Sequence, residues 1–312
     1  MKTKPAISVV IPVYRGESTL ESLVNELLKT LPDLSSKFEI ILVNDGSPDS
    51  SWEIIDRLSI KHKSVKGIRL MRNYGQHNAT LCGVREAGFP ICITMDDDLQ
   101  HPPAEIPHLL AKLEEGYDVV YGTPIRLPQG FLRNLITGWT KRILASVMGI
   151  PNLRNISAFR CFRTEIRRAS QNYQSPNVTL DVLLSWGTSR FSSVPVNINP
   201  PIEHQSNYNY RGLIRETLLI LTGYSTAPLR IASIIGFLMT LVGIGLFLYV
   251  IWLYFFAGSI PGFPFLVSVI AIFNGTTLFA IGIFGEYLAR IFSRSMDKPT
   301  YAIGYKTKSS EK

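Results

Sequence analysis

From Ile231 to Ala289 the chain carries a single charged residue, Glu286. With 18% of all residues charged, so long a gap is foreign to a soluble fold, though a buried soluble helix pair is the alternative. Two apolar runs, Leu229 to Ala257 and Phe263 to Ala289, are each long enough at about 1.5 Å per residue to cross a hydrocarbon core of about 30 Å. Only Gly258-Ser-Ile-Pro-Gly262 separates them, which predicts a helical hairpin with both ends on one side of a membrane. That turn has no Lys or Arg, while Arg215, Arg230, Arg290, Arg294 and Lys298 flank the outer ends. The positive-inside rule therefore predicts a cytoplasmic-membrane protein, with both termini and the remaining domain in the cytoplasm. Met1-Lys-Thr-Lys-Pro5 leads into a strand-like run with no cleavage site, so no signal peptide is expected.

Charge follows the same division. Nine basic and four acidic residues between Gln205 and Lys312 supply +5 of the formal +8, at the ends of the apolar runs, where lipid headgroups lie. A nucleic-acid binder carries such charge on its folded domain, so no nucleic-acid partner is expected. Cys82, Cys92 and Cys161 have no metal-ligand or CxxC spacing, which speaks for a reducing compartment. The expected organisation is a domain over 1–205, an interfacial amphipathic helix over 206–228, the hairpin over 229–292 and a basic tail over 293–312. Gly243 and Gly245 permit close helix packing without establishing a homo-oligomer.

In the first 205 residues, short β-branched runs alternate with helical patterns: Ile7–Val13, Phe38–Val43, Val65–Met71, Ile91–Met95 and Asp118–Tyr121 read as strands. This predicts a doubly wound α/β fold whose site lies at the carboxyl ends of the strands. Neither G-x-G-x-x-G nor G-x-x-x-x-G-K-[ST] occurs, so dinucleotide oxidoreductases and P-loop NTPases lose their main support. Instead Asp96-Asp97-Asp98-Leu99-Gln100 ends the fourth strand. Buried carboxylates in a row need a cation, and hard oxygen ligands at this spacing suit Mg²⁺ or Mn²⁺ completed by a diphosphate and water. Capping of the following helix can account for one of the three.

The runs Val9-Val-Ile-Pro-Val-Tyr14, Val43-Asn-Asp-Gly-Ser47, Arg72-Asn-Tyr-Gly-Gln-His77, Met95-Asp-Asp-Asp-Leu-Gln-His-Pro-Pro103 and Gly116-Tyr-Asp-Val-Val120, with Pro228-Leu-Arg230 and Gly285-Glu-Tyr-Leu-Ala-Arg290, carry a resemblance. Their order resembles the inverting GT-A (Rossmann-like) glycosyltransferases of family 2, and within them the polyprenyl-phosphate glycosyltransferases. These include dolichyl-phosphate mannose synthases and the bacterial enzymes that load undecaprenyl phosphate with aminoarabinose. The resemblance implies transfer of one sugar from a nucleotide-sugar, a UDP-sugar, to polyprenyl phosphate beside the bilayer. It implies Asp96, Asp98 and Gln100 as the metal site, with Asp98 also catalytic. Pro12, Tyr14, Glu17, Asp45, Arg72, Asn73, Gly75, Asp96 and Asp97 would bind the donor. Arg126 and Arg133, in the segment that forms an acceptor loop in relatives, would clamp the acceptor phosphate.

Two departures bear on catalysis. Relatives carry an Asp shortly before a Phe-Arg pair, whereas Asn155-Ile-Ser-Ala-Phe-Arg160 has no carboxylate. Either no general base is used, since a phosphate acceptor with second pKa near 6 is already largely anionic, or Asp181 takes that role. Relatives also show R-x-x-G-x-S-x-Y where this chain has Pro201-Ile-Glu-His-Gln-Ser-Asn-Tyr208. Two rival readings are a polysaccharide synthase of the same fold, which lacks its Q-x-x-R-W here, and a non-catalytic sugar-nucleotide-binding or scaffold protein.

Overall fold

The structure is a computed structural model that describes residues 4–125, 149, 156–175, 178–200, 226–257 and 262–307. Its elements in chain order are β1 (Ala6–Val13), α1 (Leu20–Leu34), β2 (Lys37–Asn44), α2 (Ser51–Lys61), β3 (Val65–Leu70), α3 (Gln76–Glu86), β4 (Ile91–Thr94), α4 (Ile106–Glu114), β5 (Val119–Pro124), β6 (Arg160–Arg163), α5 (Leu180–Ser185), β7 (Phe191–Val196), α6 (Ala227–Ala257), α7 (Phe263–Ser295) and β8 (Ile303–Lys306). The chain divides into two compact units, Met1–Gly212 with Asp297–Lys312, and Leu213–Met296.

The first unit is built on one sheet, ordered β7-β5-β6-β4-β1-β2-β3-β8. β1, β2, β3 and β4 run parallel, and β1 and β2 are buried on both faces through most of their length. That explains their unbroken Val/Ile/Leu runs, because helices cover a parallel sheet on both sides. α1 contributes Leu20, Leu23, Val24, Leu27 and Leu31 to the core. The doubly wound sheet is mixed, with antiparallel strands at two places. β6 lies antiparallel between β4 and β5, and β8 lies antiparallel on the outer edge of β3.

β8 also changes the reading of 293–312 as a plain basic tail. After α7 the chain returns to the first unit, where the Met71 N–H donates to the Ala302 carbonyl at 2.9 Å. Thr307 donates its N–H to the Gly67 carbonyl and accepts the Gly67 N–H on Oγ1, both at 2.9 Å, while Tyr305 meets Trp52 edge to face at 5.8 Å. Thr307→Pro removes one donor of this clasp and is expected to free β8. Amide exchange at Gly67 and Met71 should then quicken by about tenfold or more, with β1 amides still protected.

Near the start of β2, Glu39 is buried and accepts Ser8 Oγ and the Gly88 N–H, each at 2.6 Å, beside Lys66 Nζ at 2.6 Å. Burial works to raise its pKa, but Lys66, Ser8 and Gly88 together hold it below the usual carboxylate range. A depressed folded pKa stabilises above the unfolded value and is lost as pH falls through the folded one. Glu39→Gln is therefore expected to cost about 1–3 kcal/mol at pH 7 in denaturant unfolding. The gap from wild type should narrow below about pH 4.

In the second unit, Pro228–Leu253 and Ile272–Phe292 are stretches of helix long and apolar enough to cross a membrane. Phe237, Phe247, Phe255 and Phe279 among others lie exposed on α6 and α7, an apolar surface that water does not tolerate at this extent. Of the interfacial helix expected over 206–228, residues 206–225 lie outside the described residues, and α6 begins at Ala227.

Candidate functional site

Four parallel strands present their carboxyl ends at one edge of the sheet. The chain passes from β1 outward through β2 to β3, then returns to β4 on the other side of β1, and such a switch point opens a crevice. A cleft of about 300 Å³ lies there. Pro12 and Val13 line it from β1 and Tyr14 from just beyond it, Asp45 from just after β2, Asn73, Gly75 and Gln76 from the segment after β3, and Asp96, Asp97 and Asp98 from the loop after β4.

The acid loop is a strained turn. Leu99 sits at φ +59°, a region that disfavours a branched side chain. Asn199, beyond β7, holds the turn by donating Nδ2 to the Leu99 carbonyl at 3.0 Å and its N–H to the Gln100 carbonyl at 2.9 Å. Within the loop, Gln100 donates its N–H and Nε2 to the two Asp98 oxygens at 3.0 and 2.7 Å. Asp97 reaches across the switch point and accepts the Tyr14 N–H at 3.3 Å. Crowding leaves its mark on the protons: burial, then Asp98, pushes the Asp96 carboxyl up to about 6, against the pull of Arg160 and Gln76. Burial, then Asp96, pushes Asp97 up to about 7.

These carboxylates are hard oxygen donors with an uncompensated mutual repulsion, which a divalent cation relieves. Among the described residues no three His, Cys, Asp or Glu side chains gather to cage an ion. A cation held by Asp96 and Asp98 therefore needs further oxygens from a ligand or water, as the phosphates of a nucleotide provide.

The opposite wall is tied down by Asp45. Its oxygens accept the N–H groups of Tyr74 and Gly75 at 2.7 and 2.8 Å, and burial raises its pKa against the effect of those two bonds. Gly46 follows at φ +64°, where a Cβ would stand 2.6 Å from the Arg72 carbonyl carbon, so only glycine lets the wall close this tightly.

The remaining expected residues have other positions. Glu17 does not line the cleft; its carboxylate accepts the Ser50 N–H at 3.1 Å, at the start of α2. Arg72 is exposed, with its guanidinium 4.7 Å from the Tyr74 ring centroid, and Gln100 orients Asp98 rather than lining the cleft. Asp181 is 3% exposed. Its Oδ1 accepts Arg160 at 2.6 Å and the Tyr121 hydroxyl at 2.8 Å. Such a closed pair suits a positioning role better than the open base expected of it. Arg126 and Arg133 lie outside the described residues. Gln76 was not among the expected site residues, although it stands in the motif Arg72 to His77; its Nε2 donates to Asp96 Oδ1 at 2.5 Å.

Residues 8–169 match glycosyl transferase family 2. The chain is 34% identical over 303 residues to an undecaprenyl-phosphate 4-deoxy-4-formamido-L-arabinose transferase of Shewanella sediminis, covering 95% of this chain and 91% of the relative. The chain belongs to glycosyl transferase family 2. The enzyme of the same description from Proteus mirabilis is 33% identical, over 95% of this chain and 92% of its own length. In fold, the family 2 transferase is similar to glucosyl-3-phosphoglycerate synthase from Mycobacterium tuberculosis solved with Mn²⁺ and UDP-glucose, with a TM-score of 0.53 at 18% identity over 70% of this chain and 77% of that one. A GT-A, Rossmann-like domain with a mixed sheet, followed by two apolar helices, is thus the architecture of this glycosyltransferase.

Proposed function

We propose that this family 2 enzyme transfers a single sugar, with inversion, from a UDP-sugar to undecaprenyl phosphate at the cytoplasmic face of the inner membrane. The observation that carries the reading is the acid loop Asp96–Asp98 facing Asp45 and Gly75 across one cleft at the switch point, in a chain with two membrane-length helices. Relatives named for undecaprenyl-phosphate transfer match over 95% of the chain, which supports the polyprenyl acceptor.

In the reaction an oxygen of the lipid phosphate attacks the anomeric carbon as the bond from that carbon to the diphosphate breaks, and UDP leaves. Asp96 and Asp98 would hold Mg²⁺ or Mn²⁺, which supplies positive charge for the leaving diphosphate. Asp45 and the wall it fixes, with Tyr14, form the nucleoside end of the cleft. A phosphate monoester with second pKa near 6 is an anion at neutral pH and needs no base. That agrees with the absence of a carboxylate from the stretch Asn155 to Arg160 and with Asp181 being closed in an ion pair. Arg126 and Arg133 are the cations proposed to clamp the lipid phosphate. The chain preceding and the chain following the apolar hairpin both belong to the first unit, and the arginines flanking the hairpin support a cytoplasmic side for both ends.

The test uses the full chain in membranes with undecaprenyl phosphate and a panel of labelled nucleotide-sugars. One donor, a UDP-sugar, should pass label into the organic phase. Label that stays water-soluble with every donor removes the reading and favours a protein that binds sugar nucleotides without turnover.

A further inference from the structure

Resting on that reading of the donor cleft, we infer that Gln76 is the positioning residue that sets the Asp96 carboxylate for cation binding. Residues 71–76 form a strut held along its length. Met71 is bonded to Ala302, just before the C-terminal strand, Arg72 and Asn73 pack on Gly46, and Tyr74 and Gly75 donate to Asp45. At the far end Gln76 reaches Asp96, twenty residues on in sequence. The strut thus joins the acid at the nucleoside end of the cleft to the acid loop at the other end.

The residue type fits this task. Gln76 is exposed at the first turn of α3, so packing does not require its side chain. Gly75, at φ +95°, turns the chain sharply before it. The amide donates one hydrogen bond to Oδ1 and so fixes the carboxylate, yet it brings no charge. A lysine in its place would neutralise the acid that a cation needs, a glutamate would add repulsion, and a serine would be too short. Partners of this kind, which orient a ligand without touching the metal, typically change metal affinity by about 10- to 100-fold when lost.

The test uses the full chain in detergent, UDP as the titrated probe with and without Mn²⁺, and Mn²⁺ binding followed separately by electron paramagnetic resonance. Gln76→Met keeps the length and removes the donor. It should weaken Mn²⁺ affinity and Mn²⁺-dependent UDP binding by about tenfold or more, with an unchanged melting temperature, as expected at an exposed site. In an Asp96→Asn background the same substitution should add nothing, since coupled neighbours are not additive. Unaltered Mn²⁺ affinity in Gln76→Met overturns the inference, as does an equal loss in the Asp96→Asn background. A wild-type protein whose UDP binding ignores Mn²⁺ overturns the donor-cleft reading as well.

Discussion

Asp98→Asn is expected to lower sugar transfer by about 10²- to 10³-fold, the scale on which removing one group that stabilises leaving-group charge acts. The chain should nevertheless stay folded, because Asp98 lines the cleft and, among the described residues, its side chain bonds to Gln100 of its own loop alone. Removing one charge also relieves Asp96, whose pKa is raised by Asp98 after burial, so the melting temperature should hold or rise. Destabilising groups kept at a site are the signature of function rather than of stability. Measuring transfer and thermal unfolding on the same preparation checks both halves. A large fall in melting temperature would recast Asp98 as a structural residue.

Asp181→Ala should show the opposite pattern. Arg160 is 4% exposed and relies on Asp181 for its ion pair. Removing one partner of a buried pair leaves the other charge uncompensated, at about 3–5 kcal/mol. At about 2–4 °C per kcal/mol for a domain of this size, the melting temperature should drop by roughly 6–20 °C. Arg160 sits opposite Thr94 in the β4–β6 register, two residues before Asp96, so part of the loss should reach the acid loop. An Asp181→Asn protein that melts like wild type but has lost transfer would instead make Asp181 the general base.

What could be read in advance follows from where the information lies. β1, β2 and β4 were legible because each holds a run of buried apolar residues, β3 through Val65, Ile68 and Leu70, and the acid loop because helix capping explains only one of three adjacent carboxylates. β6, Arg-Cys-Phe-Arg, and β7, with two serines and Pro195, carry little strand propensity of their own. Their neighbours in the sheet hold them. β8 was read as tail because it is four residues long, contains Gly304 and follows a membrane-length helix; its partner strand lies more than two hundred residues earlier. Glu17 is assigned to the cleft by the family resemblance, yet local geometry turns it to the start of α2. Gln76 escaped notice because an amide has no distinctive chemistry until folding brings it to Asp96.

The measurement that tests the central claim most directly offers the full chain a labelled UDP-sugar with either undecaprenyl phosphate or undecaprenol, each with Mn²⁺ or with EDTA. A lipid-linked sugar should form from the phosphate alone and only with the divalent cation. Equal transfer to undecaprenol, or transfer undiminished by EDTA, would contradict a cleft that works through a cation-bound diphosphate and an anionic lipid acceptor.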